Sequence, residues 1–343
     1  MMNDNRINSQ YQHWYSIDLV KGILVILVFV GHIIPGILRD TFPRYLIYSF
    51  HMPLFVGVSG FLFDIEKKDV CLRKMFMKYW RRLGKPWVVA VVLYWLIKIV
   101  SLEDKTSITL LGIINAFCYP YYHLWYILGY VSYMSIICIL WKKTERNRLR
   151  WVLIFGVASI ISVISKWNIL EDIIKNEYLL MAYEYIQYDF RLYNLIFFAI
   201  GVYLRYRYEH RGEVLSKATS KAFRILVWTS IAIVIALFFY DNPNVELIMF
   251  YIMNVSMLVV ILHDSVKSKM PRCIVLEFIG KYSLPIYLYH ILCKICGEIF
   301  FVSGSGKYYM VCILSFLLGC VLVLFLRKIP FVNKVIFGMT NLN

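Results

Sequence analysis

The sequence predicts an all-α polytopic membrane protein with about ten transmembrane helices and both termini in the cytoplasm. Three observations carry that prediction. Of 343 residues, 60% are hydrophobic and 17% charged, against about 25% charged in an ordinary soluble domain. The apolar residues fall in repeated runs of roughly membrane-spanning length. Lys and Arg crowd into alternate loops between those runs, the positive-inside pattern. The 27 Tyr and 9 Trp suit a chain that meets the membrane interface many times.

The expected spans, in order, are 17–38, 44–63, 86–101, 123–141, 151–167, 191–206, 223–240, 245–263, 281–300 and 308–327. The first run starts after a polar segment, is long and lacks a small-x-small cleavage site, so it is expected to remain as a span rather than act as a cleaved leader. The loop after span two holds Lys67, Lys68, Arg81, Arg82 and Lys85. The later basic loops hold Lys142, Lys143, Arg146, Arg148 and Arg150, then Arg207, Arg211 and Lys221, then Lys267, Lys269 and Arg272. The loops between them are poor in cations, and one is acidic, with Glu171, Asp172, Glu177, Glu184 and Asp189. The net charge of +16 is thereby explained by topology, and nucleic-acid binding is not expected. The apolar stretch 108–117 is expected at the interface or as a re-entrant piece. No soluble extra domain is visible: residues 1–343 read as one membrane domain with cytoplasmic ends at 1–16 and 328–343.

Ionisable side chains inside such spans are costly, so they are functional candidates. Lys21 and His32 stand eleven residues apart in span one. Eleven steps of about 100° place them on one helix face, roughly 16 Å apart along the axis. His51 lies about two turns down span two, at the depth expected for His32 on an antiparallel neighbour. Pro53, Gly57, Ser59 and Gly60 follow it and permit a broken or closely packed helix. His123 opens span four, before Leu124-Trp125-Tyr126, and His290 sits midway along span nine. Each histidine taken alone is more at home as an interhelical hydrogen-bonding side chain. His32 stands apart because it shares a face with Lys21. At the entry to span three, Arg81, Arg82 and Lys85 read equally as positive-inside anchors and as a phosphate-binding group. The eight cysteines are scattered, Cys293-x-x-Cys296 reads as packing, and no acidic ligand set accompanies the histidines, so no metal is expected.

Five blocks occur in order: Asp-Leu-x-Lys-Gly…Gly-His, Phe-His-Met-Pro-Leu-Phe-x-x-x-Ser-Gly-Phe-Leu, Arg-Arg-Leu-x-x-Pro-Trp, Leu-Trp-Tyr, and Gly-Lys-x-Ser-Leu-x-Ile-Tyr-Leu-x-His. In these the chain resembles the membrane acyltransferase-3 family, closest to its fucose-4-O-acetylase-like branch, from about residue 16 to 327. Lys21 replaces an arginine common in the family, keeping the charge and losing the bidentate fork. Lys85 likewise stands where many members have a second arginine. The resemblance implies a multi-pass enzyme of the bacterial cytoplasmic membrane that takes an acyl group, most simply acetyl, from cytoplasmic acyl-CoA. The acceptor it implies is a sugar or glycan, lipid-linked or polymeric, of the cell envelope or an exopolysaccharide. It makes His32 the expected essential histidine and Lys21, Arg81, Arg82 and Lys85 the donor-binding cations.

A mechanism follows as an expectation. Neutral His32, with the ordinary imidazole pKa of about 6.5, suits a general base on an acceptor hydroxyl. His51 is the second catalytic candidate, with Ser59 and Tyr287 as further oxyanion donors. Trp125, Tyr126 and His290 are the acceptor-side candidates. The competing reading is a glycan or polymer transporter without acyl transfer, since broken helices and intramembrane polar residues also mark transporters. A third is an inert scaffold of polysaccharide assembly.

Overall fold

The structure, a computed structural model, describes residues 15–66, 72–102, 109–121, 123–143, 147–171, 173–267 and 270–339. The N-terminal segment through Trp14, the tail from Thr340, and Lys67, Lys68, Arg146, Asp172 and Lys269 of the loops lie outside the described residues.

Every regular element among the described residues is helical. The helices are α1 (Tyr15–Ile33), α2 (Phe42–Phe61), α3 (Leu72–Tyr79), α4 (Lys85–Leu102), α5 (Leu110–Cys118), α6 (Trp125–Lys142), α7 (Asn147–Trp167) and α8 (Glu177–Phe190). They continue as α9 (Leu195–Arg211), α10 (Lys217–Phe239), α11 (Pro243–Val266), α12 (Ile274–Lys281), α13 (Ser283–Tyr289), α14 (Ile291–Phe300) and α15 (Gly306–Leu326). Seven helices among the described residues are long and apolar enough to cross a membrane: Tyr15–Ile33, Met75–Val100, Trp125–Lys142, Arg148–Trp167, Ala218–Phe239, Pro243–Val266 and Gly306–Leu326. The expected spans two, six and nine correspond to α2, to the 17-residue α9, and to the interrupted run α12–α14. Of the apolar stretch at 108–117, residue 108 lies outside the described residues and residues 110–117 belong to the short helix α5.

Helix α1 is the hub of the bundle, and it packs most extensively on α12. Two glycines permit that approach. A Cβ at Gly22 would lie 2.1 Å from the Leu276 carbonyl oxygen, and one at Gly280 would lie 1.7 Å from that of Asp18. Small residues at a crossing let backbones meet where lipid supplies no hydrophobic drive. Lys21 and Lys281 flank this contact and face one cavity together. A second crossing of the same kind joins α2 to α9, where a Cβ at Gly60 would meet the Phe198 carbonyl oxygen at 2.3 Å.

Prolines break hydrogen-bond ladders at two places that matter. Pro53 has no N–H for the Ser49 carbonyl, four residues back. The buried Asn254 of α11 donates to that oxygen at 2.8 Å, which ties α2 to α11. Pro285 likewise leaves the Lys281 carbonyl without its helical donor. The expected ninth span is accordingly interrupted at Tyr282 and turns again at His290. A π-turn at Trp80–Gly84 interrupts the helix that runs from Met75 to Val100. Helices α10 and α15 sit at the periphery with apolar side chains such as Trp228, Phe239, Leu318 and Phe325 facing outward, as a lipid-facing surface requires.

Candidate active site

The broken run α12–α14 organises the centre of the molecule. The turn at His290 exposes carbonyls that side chains then satisfy, as irregular backbone within a membrane protein demands. The Leu288 oxygen accepts from the Tyr94 hydroxyl at 2.8 Å and from His123 Nε2 at 3.1 Å. The Tyr287 oxygen accepts from His290 Nδ1 at 2.6 Å. The Tyr287 hydroxyl in turn donates to the His123 carbonyl.

These bonds settle the tautomers. A ring nitrogen that bonds a carbonyl carries the proton, so the other nitrogen of a neutral imidazole is a bare acceptor. His290 Nε2 and His123 Nδ1 are therefore bare, and both are buried with no hydrogen-bond partner among the described residues. The two rings lie 4.4 Å apart between centroids. The His32 ring lies 5.3 Å from that of His290 and 6.0 Å from that of His123. Three histidines from three separated segments thus form one cluster, with His32 half-buried at its edge.

His51 is held differently. Its Nδ1 bonds the Ile47 carbonyl at 2.6 Å, one turn back on its own helix. Its ring stands edge-on to Tyr48 at 5.0 Å, and Tyr48 stands 6.4 Å from His32. The expected approach of His290 to His32 is seen, with His123 joining it, while the ring that stands between His32 and His51 is that of Tyr48. The other two oxyanion candidates have committed protons. Ser59 donates to the Phe55 carbonyl at 2.8 Å, so Tyr126 is the donor in their 2.6 Å contact. The Tyr287 proton goes to the His123 carbonyl.

Beside the cluster, toward the end of the bundle that bears the basic loops, lies a cavity of about 620 Å³. Lys21, Arg82, Lys281, Arg327 and Lys328 line it, and no carboxylate among the described residues does. Lys21 is held 2.9 Å from Asp18, three residues earlier. Arg327 bonds the Tyr282 hydroxyl, which sits at the break between α12 and α13. Tyr126, Tyr130 and Tyr287 form the inner wall, so the cavity reaches from the cations to the residue that supports His123.

The cation grouping read from the sequence narrows here. Arg81, Arg82 and Lys85 are all exposed, and of the three only Arg82 lines the cavity. The acceptor-side group also divides. Tyr126 lines the cationic cavity beside Ser59, His290 belongs to the histidine trio, and Trp125 lies under the Arg191 guanidinium at 4.3 Å. Sequence reasoning named His123 without giving it a role and passed over Lys281, Arg327 and Lys328. Lys281 stood inside the Gly-Lys-x-Ser block and His123 directly before Leu-Trp-Tyr. Nothing in the sequence distinguished Arg327 and Lys328 from ordinary cations at a helix end. No group of His, Cys, Asp or Glu suited to a metal occurs among the described residues.

Comparison with known proteins gives the chain's family. A family model described as an acyltransferase domain, that of the acyltransferase-3 family, matches residues 14–327. The nodulation protein NolL of Mesorhizobium japonicum is 30% identical over 152 residues, covering 40% of this chain and 38% of the relative. NolL of Sinorhizobium fredii is 46% identical over 54 residues, covering 14% of this chain and 15% of the relative. The matched stretches thus span well under two thirds of these relatives' lengths. No solved structure matches the chain. The family match takes in the Lys21–His32 helix, the π-turn bearing Arg82, the histidine trio and Arg327 alike, and the chain belongs to the acyltransferase-3 family.

Proposed function

We propose that the protein is a membrane O-acyltransferase that moves an acetyl or related acyl group from cytoplasmic acyl-CoA to a sugar hydroxyl of a cell-envelope or extracellular glycan. One observation carries the reading: a cavity lined, among the described residues, by five cations and no carboxylate reaches the wall of a cluster of three histidines with two bare ring nitrogens. Cations without competing carboxylates suit phosphates, and Arg82 and Arg327 offer bidentate forks for them. The roughly 16 Å rise between Lys21 and His32 suits an extended pantetheine arm. In this reading the basic loops face the cytoplasm of a bacterium, α2, α9 and the run α12–α14 complete ten spans, and the ends of the chain are cytoplasmic.

The donor supplies an activated thioester carbonyl. Arg82, Lys281, Arg327 and Lys328 bind its phosphates, while Lys21, held by Asp18, lines the path inward. His32 accepts the proton of the acceptor hydroxyl as that oxygen attacks the carbonyl carbon. The new C–O bond forms, the C–S bond breaks, and His32 returns the proton to the departing thiolate. His123 and His290, fixed by the Leu288 and Tyr287 carbonyls, orient His32 and keep acceptor nitrogens in the reaction space.

The test is transfer from labelled acetyl-CoA in membranes carrying equal amounts of wild type or His32→Ala. Loss of general-base catalysis predicts a fall of about 10²–10⁴-fold, with coenzyme A binding retained. Full transfer by the variant removes His32 from the mechanism.

A further inference from the structure

At the end of the bundle opposite the basic loops, a second cavity of about 390 Å³ opens between the end of α7 and helix α8. Its size falls within the about 300–1,000 Å³ typical of small-ligand sites. Nothing in the histidine chemistry uses it, and its lining differs from that of the cationic cavity.

Three tyrosines, Tyr183, Tyr188 and Tyr193, bring aromatic rings to it. Gln187, Ser165 and Asn168 bring hydrogen-bonding groups of both senses. The Gln187 amide is already oriented: its oxygen accepts from Ser165 and its nitrogen donates to the Tyr183 hydroxyl. The charges balance, with Glu171 and Glu184 against Lys166 and Arg191. Lys166 is further turned onto the Tyr193 ring, 4.7 Å from its centroid. A lining of this kind matches a neutral polyhydroxylated ligand: ring faces for C–H surfaces, paired donors and acceptors for hydroxyls, and no net field to favour an ion.

Backbone strain points to the same place. The left-handed non-glycine residues among the described residues are Asn168, at φ 51°, and Arg191, at φ 42°. Both line this cavity. Asn168 directly follows the end of α7, where a left-handed Asn is an ordinary helix end, and Arg191 caps α8; of the two, Arg191 is the one its surroundings must hold in place. Here the buried Tyr133 hydroxyl is the clamp, bonding the Phe190 and Arg191 carbonyls at 2.7 and 2.8 Å. The clamp fixes Arg191 in the partition between cavity and chemistry. One side of Arg191 lines the cavity, and its guanidinium lies 4.3 Å above the Trp125 ring, two residues from His123.

We propose that this cavity is an acceptor subsite that binds one or two neutral sugar rings of the glycan, so that a neighbouring hydroxyl is presented to His32. The inference rests on the acyltransferase reading for its purpose but not for the binding itself, and that separation makes the test decisive.

The experiment uses the full-length protein in lipid nanodiscs with lactose, cellobiose, chitobiose and an α-fucosyl disaccharide as probes. Binding is read by saturation-transfer NMR without donor. Transfer kinetics are read with labelled acetyl-CoA and the best-bound sugar. Tyr188→Ala and Gln187→Leu are the variants; Tyr188 is exposed, so its loss does not open the core, and melting temperatures check both. The wild type and His32→Ala are expected to bind at least one probe. The two variants are expected to weaken that binding at least tenfold and to raise the acceptor KM while leaving the donor KM unchanged. Binding by the wild type that both variants retain overturns the subsite, as does a wild type that binds none of the probes. If the wild type binds through these residues but transfers no acetyl group, the subsite stands and the acyltransferase reading falls. If transfer proceeds with unchanged acceptor KM in both variants, the reverse holds.

Discussion

At the scale of single residues, the informative atoms are His290 Nε2 and His123 Nδ1, bare because the opposite nitrogen of each ring is spent on a carbonyl. That separates two roles that an alanine substitution would remove together. His290→Asn keeps a donor near the Nδ1 position and deletes the bare nitrogen, and His123→Gln does the same for Nε2. Both variants are expected to fold with a melting temperature close to wild type and to lose transfer by roughly tenfold or more, against a near-complete loss for His32→Ala. Wild-type rates in both would make the trio a packing feature. A different residue, Asp189 on α8, gives a pH prediction. Burial pushes its carboxyl up to about 6, with Arg191 pulling it partly back. The folded state therefore binds the proton more tightly than the unfolded chain, whose value is near 3.8. Its contribution to stability is best below about pH 4 and declines as pH rises through about 6. Asp189→Asn removes the cost of the buried charge, so it is expected to raise the melting temperature at pH 7.5 and leave it little changed at pH 4.

At the scale of elements, crossings and breaks position the chemistry. The Gly22–Gly280 contact is backbone against backbone, so an added methyl cannot be absorbed by a side-chain shift. Gly280→Ala is expected to cost about 1–3 kcal/mol and to weaken donor binding, because Lys21 and Lys281 sit on either side of the crossing. Gly319→Ala on the peripheral α15, where an added Cβ meets nothing within 4 Å, is the control expected to cost nothing. Thermal melting in detergent and coenzyme A titration read both effects. Equal behaviour of the two variants would remove the crossing as a determinant of the cavity. The break in α12–α14 is a second device. Pro285 is visible in the sequence, yet the hydropathy of 281–300 alone predicts one continuous span. Its consequence emerged only with the carbonyls that Tyr94, His123 and His290 satisfy.

At the scale of the molecule, the cations and the histidines occupy different depths of one bundle, joined by a wall of tyrosines. Lys281 and Arg327 are side chains that the sequence left without a role, and the structure places them beside Lys21 and Arg82. Replacing both by Gln removes two charge-assisted contacts worth about 1.5–3 kcal/mol each. The double variant is expected to raise the donor KM by tenfold or more, with a smaller effect at high salt and no change in acceptor KM. An unchanged donor KM would remove the cavity as the donor site.

The sequence by itself determined the membrane character, the helical segments, the alternation of basic loops and the family, because each depends on composition, local periodicity or ordered motifs along the chain. His32 and Lys21 were legible for the same reason, since one helix and its 100° step place both on a face. Only the tertiary structure decided which other side chains meet them. Arg82, Lys281 and Arg327, like His32, His123 and His290, lie on segments far apart in the chain. Their convergence is set by where glycines let helices cross and where prolines free a carbonyl for a distant side chain to take.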